Sequence, residues 1–97
     1  MNSDAGTPKQ RLDKWLWQAR FFKSRALATD EIEGSGIRIN GVKTRKPGHV
    51  LRAGDTLTFR QAQTIRLIRV LDLGQRRGPA SEAQVLYLDL DAQSSPE

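Results

Sequence analysis

The sequence predicts an α+β domain in which two N-terminal helices pack on a small, twisted, mostly antiparallel sheet. Three observations carry this. Leu12, Trp15, Leu16 and Ala19 recur at helical spacing and make one apolar stripe. Ser24 precedes a second helical pattern with Leu27, Ala28 and Ile32 on one side. From Ile37 onward, apolar and polar residues alternate in short runs broken by glycine-containing turns.

The elements follow in order. Residues 1–10 are polar and read as a disordered tail. The first helix is expected from about Arg11 to Phe22. On a wheel of 100° per residue, Trp17 and Phe21 fall opposite the apolar stripe, beside Lys14 and near Arg20. The second helix is expected over Arg25 to Glu33, capped by Ser24, with Gly34 as a left-handed stop and Gly36 loosening the exit. Ile37-Arg38-Ile39 alternates as a strand, and Asn40-Gly41 supplies the positive φ angles of a tight hairpin turn. Lys43, Arg45 and Lys46 form a basic loop punctuated by Pro47-Gly48. Val50 and Leu51 return to the core, and Ala53-Gly54-Asp55 turns the chain into a strand carrying Leu57 and Phe59. A further strand spans about Thr64 to Leu71, its register left open by the adjacent Leu67 and Ile68. Gln75 to Ala80 reads as a loop, Ser81 to Leu90 is divided between helix and strand, and residues 91–97 read as a second disordered tail.

Composition narrows the function. The chain has 97 residues, enough for one domain at 11–90. It has no cysteine, which excludes disulfides and thiolate metal sites. No apolar run is long enough to span a bilayer, and the N-terminus lacks the apolar stretch of a signal peptide, so a cytoplasmic protein without membrane contact is expected. Sixteen Lys and Arg face 11 Asp and Glu, for a net charge of +5. From Lys9 to Arg60 there are 12 basic and 5 acidic residues, a local balance of +7. A field of this kind attracts polyanions.

Five short pieces then align in order and spacing: Arg11-Leu12-Asp13, Ser24-Arg25-Ala26, Glu33-Gly34, Ile39-Asn40-Gly41 and Gly54-Asp55. Together they resemble the RNA-binding domain first described in ribosomal protein S-four, also called the alpha-L motif. Arg11 to Trp17, Ala19-Arg20-Phe21, Arg25 to Ala28 and Pro79 to Ala83 resemble a bacterial, ribosome-associated heat-shock branch of that family. The resemblance implies the alpha-L fold. It also implies binding to ribosomal RNA of the large subunit and help in rescuing or recycling stalled subunits under heat stress. Members of that branch commonly continue into a basic C-terminal helix, where this chain carries the acidic-to-neutral stretch Asp89 to Glu97.

The candidate RNA-contacting residues are Arg11, Lys14, Trp17, Arg20, Phe21, Lys23, Ser24, Arg25, Arg38, Asn40, Lys43, Arg45, Lys46 and His49. Arginine forks match phosphate oxygens, and a concave basic face reads RNA through shape and backbone. Trp17 is either a stacking platform for an unpaired base or a packing residue, and Phe21 carries the same choice with more weight on packing. Asp13 is placed to orient a neighbouring arginine, Ser24 is first a helix cap, and Asn40 is first a turn residue. The single histidine, His49, has no companion ligands for zinc, and Asp30, Glu31 and Glu33 read as a solvated helix face. No catalytic residue, metal, cofactor or small-molecule substrate is expected, and the chain is taken as a monomer. Two rival readings stay open. One is an accessory module of an RNA-modification system, whose catalytic domain is elsewhere. The other is a protein-interaction module that uses the basic face.

Overall fold

In the computed structural model, residues 8–61, 63–74 and 77–90 are described. The expected tails at 1–7 and 91–97, and the first two residues of the 75–80 loop, lie outside the described residues. The elements are β1 (Gln10–Arg11), α1 (Leu12–Gln18), α2 (Arg25–Gly34), β2 (Ile37–Ile39), β3 (Val42–Thr44), β4 (Val50–Leu51), β5 (Thr56–Gln61), β6 (Thr64–Val70), α3 (Ala80–Ala83) and β7 (Tyr87–Asp89), with a 3-10 turn at Gln84–Leu86. Gln10, counted with the tail above, pairs with Leu51 in a short β1–β4 ribbon.

The α+β expectation holds. A five-stranded sheet runs β3-β2-β5-β6-β7, and every pairing in it is antiparallel. Its inner face presents Ile37, Ile39, Leu57, Phe59, Ile68 and Val70 to the helices. Leu12, Trp15 and Leu16 of α1 and Ala28 and Ile32 of α2 close the core from the other side. The buried Trp15 indole donates Nε1–H to the Asp72 carbonyl at 2.9 Å, which satisfies its one polar group. Asn40 and Gly41 take φ of 53° and 87°, as the hairpin requires.

The first helix ends four residues earlier than periodicity indicates. Arg20 adopts φ 66°, and the helix closes by a paired-bond cap: Arg20 N–H donates to the Trp17 carbonyl and Phe21 N–H to the Leu16 carbonyl, each at 3.0 Å. Such caps bring the residue after the left-handed position back onto the last turn. Phe21 therefore turns inward, its ring 6.0 Å from Trp15 and 4.6 Å from Tyr87. The wheel places Phe21 on the outer basic face; the cap puts it in the core.

Smaller differences have similar causes. Gly34 remains inside α2, and Gly36, at φ 82°, supplies the left-handed exit. Leu27 is exposed, because Ala28 and Ile32 alone face the core. Val50 is exposed while Leu51 is fully buried. The Leu67/Ile68 ambiguity resolves with Ile68 in the core, opposite Leu57. The divided segment 81–90 contains both a short helix and a strand.

Candidate nucleic-acid interface

The site begins where α1 begins. The first backbone N–H groups of a helix have no partner inside it. Here Leu12 N–H donates to the His49 carbonyl at 2.9 Å and Asp13 N–H to the Pro47 carbonyl at 3.0 Å. These bonds, with the β1–β4 pairing of Arg11 and Val50, fasten the 45–49 loop to the start of α1. Gly48 lies against the Arg11 guanidinium: a Cβ there would sit 3.5 Å from its Cζ.

Asp13 organises what surrounds this junction. Its carboxylate accepts from Arg11 Nε at 3.1 Å and Nη2 at 3.3 Å, from Arg25 Nε at 3.4 Å and from the Thr29 hydroxyl at 3.3 Å. It also accepts the Lys14 backbone N–H at 2.8 Å. Arg25 and Thr29 are one turn apart on α2, so both reach the same carboxylate. The Asp13 side chain is only 5% exposed, while Arg11 and Arg25 keep 54% and 43% of theirs in solvent. Burial alone would push the Asp13 carboxyl up, but hydrogen bonds and charge from Arg11 and Arg25 together outweigh it and hold the group below its ordinary range. One carboxylate is shared by two guanidiniums, so a net positive charge remains. Arg11 is held through Nε and Nη2 and Arg25 through Nε, and among the described residues their other guanidinium N–H groups make no hydrogen bond, which leaves them to face an anion.

Lys14 lies on α1 beside this junction, and the exposed Lys46 and His49 belong to the loop whose Pro47 and His49 carbonyls bind the start of α1. Exposed Arg45 lies on the same connection, and exposed Lys23 leads into α2. Ser24 caps α2, its hydroxyl oxygen accepting Leu27 N–H at 3.1 Å.

Other expected residues are placed elsewhere. Trp17 is half-buried beneath Arg77, whose guanidinium lies 5.6 Å from the ring centroid and donates Nε–H to the Trp17 carbonyl. Its ring packs against the later loop. Arg20 reaches across to the Gly78 carbonyl at 2.8 Å. Phe21, buried in the core, presents no ring face to a ligand. Asn40 is occupied: its amide donates to Asp55 at 3.0 Å and its oxygen accepts Thr56 N–H at 2.9 Å. Lys43, expected in the loop beside α1, is in β3 directly opposite Arg38, on the outer sheet face.

A family model described as the S4 domain matches residues 10–57. The heat shock protein 15 homolog of Aeromonas salmonicida is 45% identical over 86 residues, covering 89% of this chain and 64% of that protein. The RQC P-site tRNA stabilizing factor of Listeria innocua is 32% identical over 87 residues, covering 90% of this chain and 92% of that protein. The trimeric heat shock protein 15 of Vibrio cholerae superposes with a TM-score of 0.77 at 40% identity, over 84% of this chain and 82% of that one.

This chain belongs to the S4 domain family. It spans less than two thirds of the length of the curated heat shock protein 15 relatives it matches. All fourteen candidate residues fall inside the S4 segment, from Arg11 to His49. Sequence reasoning missed two parts of the candidate site. Thr29 faces Asp13, a placement set only by the packing of α2 on α1. Gly48 packs against the Arg11 guanidinium at ordinary van der Waals distance, a contact that joins the 45–49 loop to the start of α1. No His, Cys, Asp and Glu cluster suited to a metal ion occurs among the described residues. No described helix is long and apolar enough to cross a membrane.

Proposed function

We propose that this S4 domain chain binds structured RNA of the ribosome through the surface built by α1, the N-terminal end of α2 and the 45–49 loop. The observation that carries this is the convergence of Arg11 and Arg25 on one buried carboxylate, with Lys14, Lys46 and His49 on adjoining backbone. The target is ribosomal RNA of the large subunit, and the role is to assist rescue or recycling of stalled subunits under heat stress. The relatives' names support this: heat shock protein 15, and a factor named for stabilising P-site tRNA. The chain acts by binding and performs no catalysis. Its working form is a monomer on the RNA, a point on which the trimeric Vibrio relative makes the oligomeric state worth measuring.

Binding energy comes mainly from neutralising phosphates and releasing their counterions. With about six phosphate contacts, log K falls against log salt with a slope of roughly −4 to −5. Lys14 and Lys46 are the residues to test, since neither side chain makes an ion pair among the described residues. The variant K14Q/K46Q is expected to keep the wild-type circular dichroism spectrum. It should lose about two contacts, and flatten the salt slope by between one and two, on a large-subunit ribosomal RNA fragment. Unchanged affinity and slope would remove this face from the site.

A further inference from the structure

The outer face of the sheet carries a second cationic cluster. In β2 and β5 the core residues Ile37, Ile39, Leu57 and Phe59 alternate with Arg38, Thr58 and Arg60, which point away from the helices. The register sets Arg38 directly opposite Lys43 on one side and Thr58 on the other. Arg69 joins the same face from β6, opposite Thr56. A cleft of about 250 Å³ lies here, lined by Ser35, Arg38, Lys43, Thr58 and Arg60 among others. The Lys43 side chain crosses Gly36, where any Cβ would collide with it.

Two features of this cluster are not explained by the fold. Like charges directly opposite in neighbouring strands destabilise a sheet. Yet Arg38 and Lys43 face each other, and neither they nor Arg60 nor Arg69 makes an ion pair among the described residues. Among the described residues the Arg38 guanidinium has one bond, Nη1 to the Gly41 carbonyl at 3.3 Å, which leaves most of its donors unused there. The first cationic site, by contrast, is arranged around its own carboxylate. A cluster without one has guanidinium and ammonium donors to offer an anion from outside.

We infer that this outer cleft binds the phosphate backbone of a second RNA segment, so that one chain bridges two RNA elements on opposite faces of its sheet. Arginine forks and the Thr58 and Ser35 hydroxyls are suited to non-bridging phosphate oxygens. Arg38, Arg60 and Arg69 stand on the sheet face turned away from the core that α1 and α2 close, so this face is presented in a different direction from the Arg11–Arg25 junction. The inference rests on the RNA-binding reading of the chain but not on the helix face being its site.

The test counts a short RNA duplex of about one helical turn bound per full-length chain, by calorimetry at low salt. Wild type is expected to take two duplexes, and K14Q/K46Q and R38Q/K43Q/R60Q one strong duplex each, with the neutralised site weakened at least tenfold. The sheet-face variant is also expected to melt at or above the wild-type temperature at low salt, because cross-strand repulsion is removed. A merely structural role for these residues predicts the reverse. If that triple variant loses cooperative melting, the single Arg60→Gln substitution carries the test, with the salt slope of the second site reduced by about one contact. Two duplexes bound by the sheet-face variant, or a single duplex on wild type that this variant binds equally well, would overturn the inference. So would loss of binding to phosphatidylserine vesicles in the sheet-face variant with RNA binding intact. If K14Q/K46Q still takes two duplexes and the sheet-face variant takes one, the helix-face reading fails and the outer site stands.

Discussion

Replacing Asp13 by asparagine keeps the shape of the side chain and removes its charge. The substituted amide would retain an oxygen for the Lys14 N–H, but its nitrogen would face the guanidiniums and the Thr29 hydroxyl. Hydrogen bonds to a charged group contribute about 1.5–3 kcal/mol each when sheltered. The arginine side chains are 54% and 43% exposed, so water recovers much of their loss and the discounted cost is about 2 kcal/mol. For a domain of this size that corresponds to a melting temperature lower by about 8–16 °C. The assay is thermal unfolding followed by far-UV circular dichroism at pH 7, repeated towards acid. Asp13 titrates lower in the folded protein than when unfolded. Its contribution is therefore complete above the unfolded value of about 4 and lost as pH falls through the folded one. The gap between wild type and D13N should close over that window. A variant that melts within about 2 °C of wild type at neutral pH, or a gap that ignores acid, would refute the idea that this carboxylate holds the two arginines.

Other substitutions probe the supports of the site. Ser24→Ala removes the α2 cap and should cost about 1 kcal/mol, read as a drop of about 4–8 °C in melting temperature. Gly41→Ala places a Cβ on a residue at φ 87° and should cost about 1–2 kcal/mol by denaturant unfolding; an unchanged midpoint would contradict the turn. Arg77→Ala uncovers the Trp17 ring at a cost of about 0.5–1 kcal/mol, with tryptophan fluorescence shifting to the red and becoming easier to quench with acrylamide.

Much of this arrangement is legible because local chemistry and tertiary packing agree. Ser24 caps the helix it precedes, Asn40-Gly41 turns where two positive φ angles are needed, and Leu57 and Phe59 alternate inward as a half-buried strand must. Legibility fails where a rare conformation or a distant partner decides the outcome. The left-handed residue ending α1 is Arg20, which carries no glycine signal, so periodicity runs on to Phe22 and misplaces Phe21. Lys43 groups with Arg45 and Lys46 by charge, yet a three-residue strand after the hairpin turn lifts it onto the sheet. Asn40 is available in sequence and is consumed in space by Asp55 and Thr56, fifteen and sixteen positions away. The cations of the site are visible from charge alone. Their gathering around Asp13 depends on how α2 lies on α1, which no local window contains.

The most direct measurement is an NMR titration of the isotopically labelled chain with a large-subunit ribosomal RNA fragment, following backbone amides and arginine side chains. Salt-sensitive shifts are expected at Arg11, Lys14, Arg25, Lys46, Gly48 and His49 as RNA is added. Spectra in which those signals stay fixed while RNA binds would contradict the proposed interface.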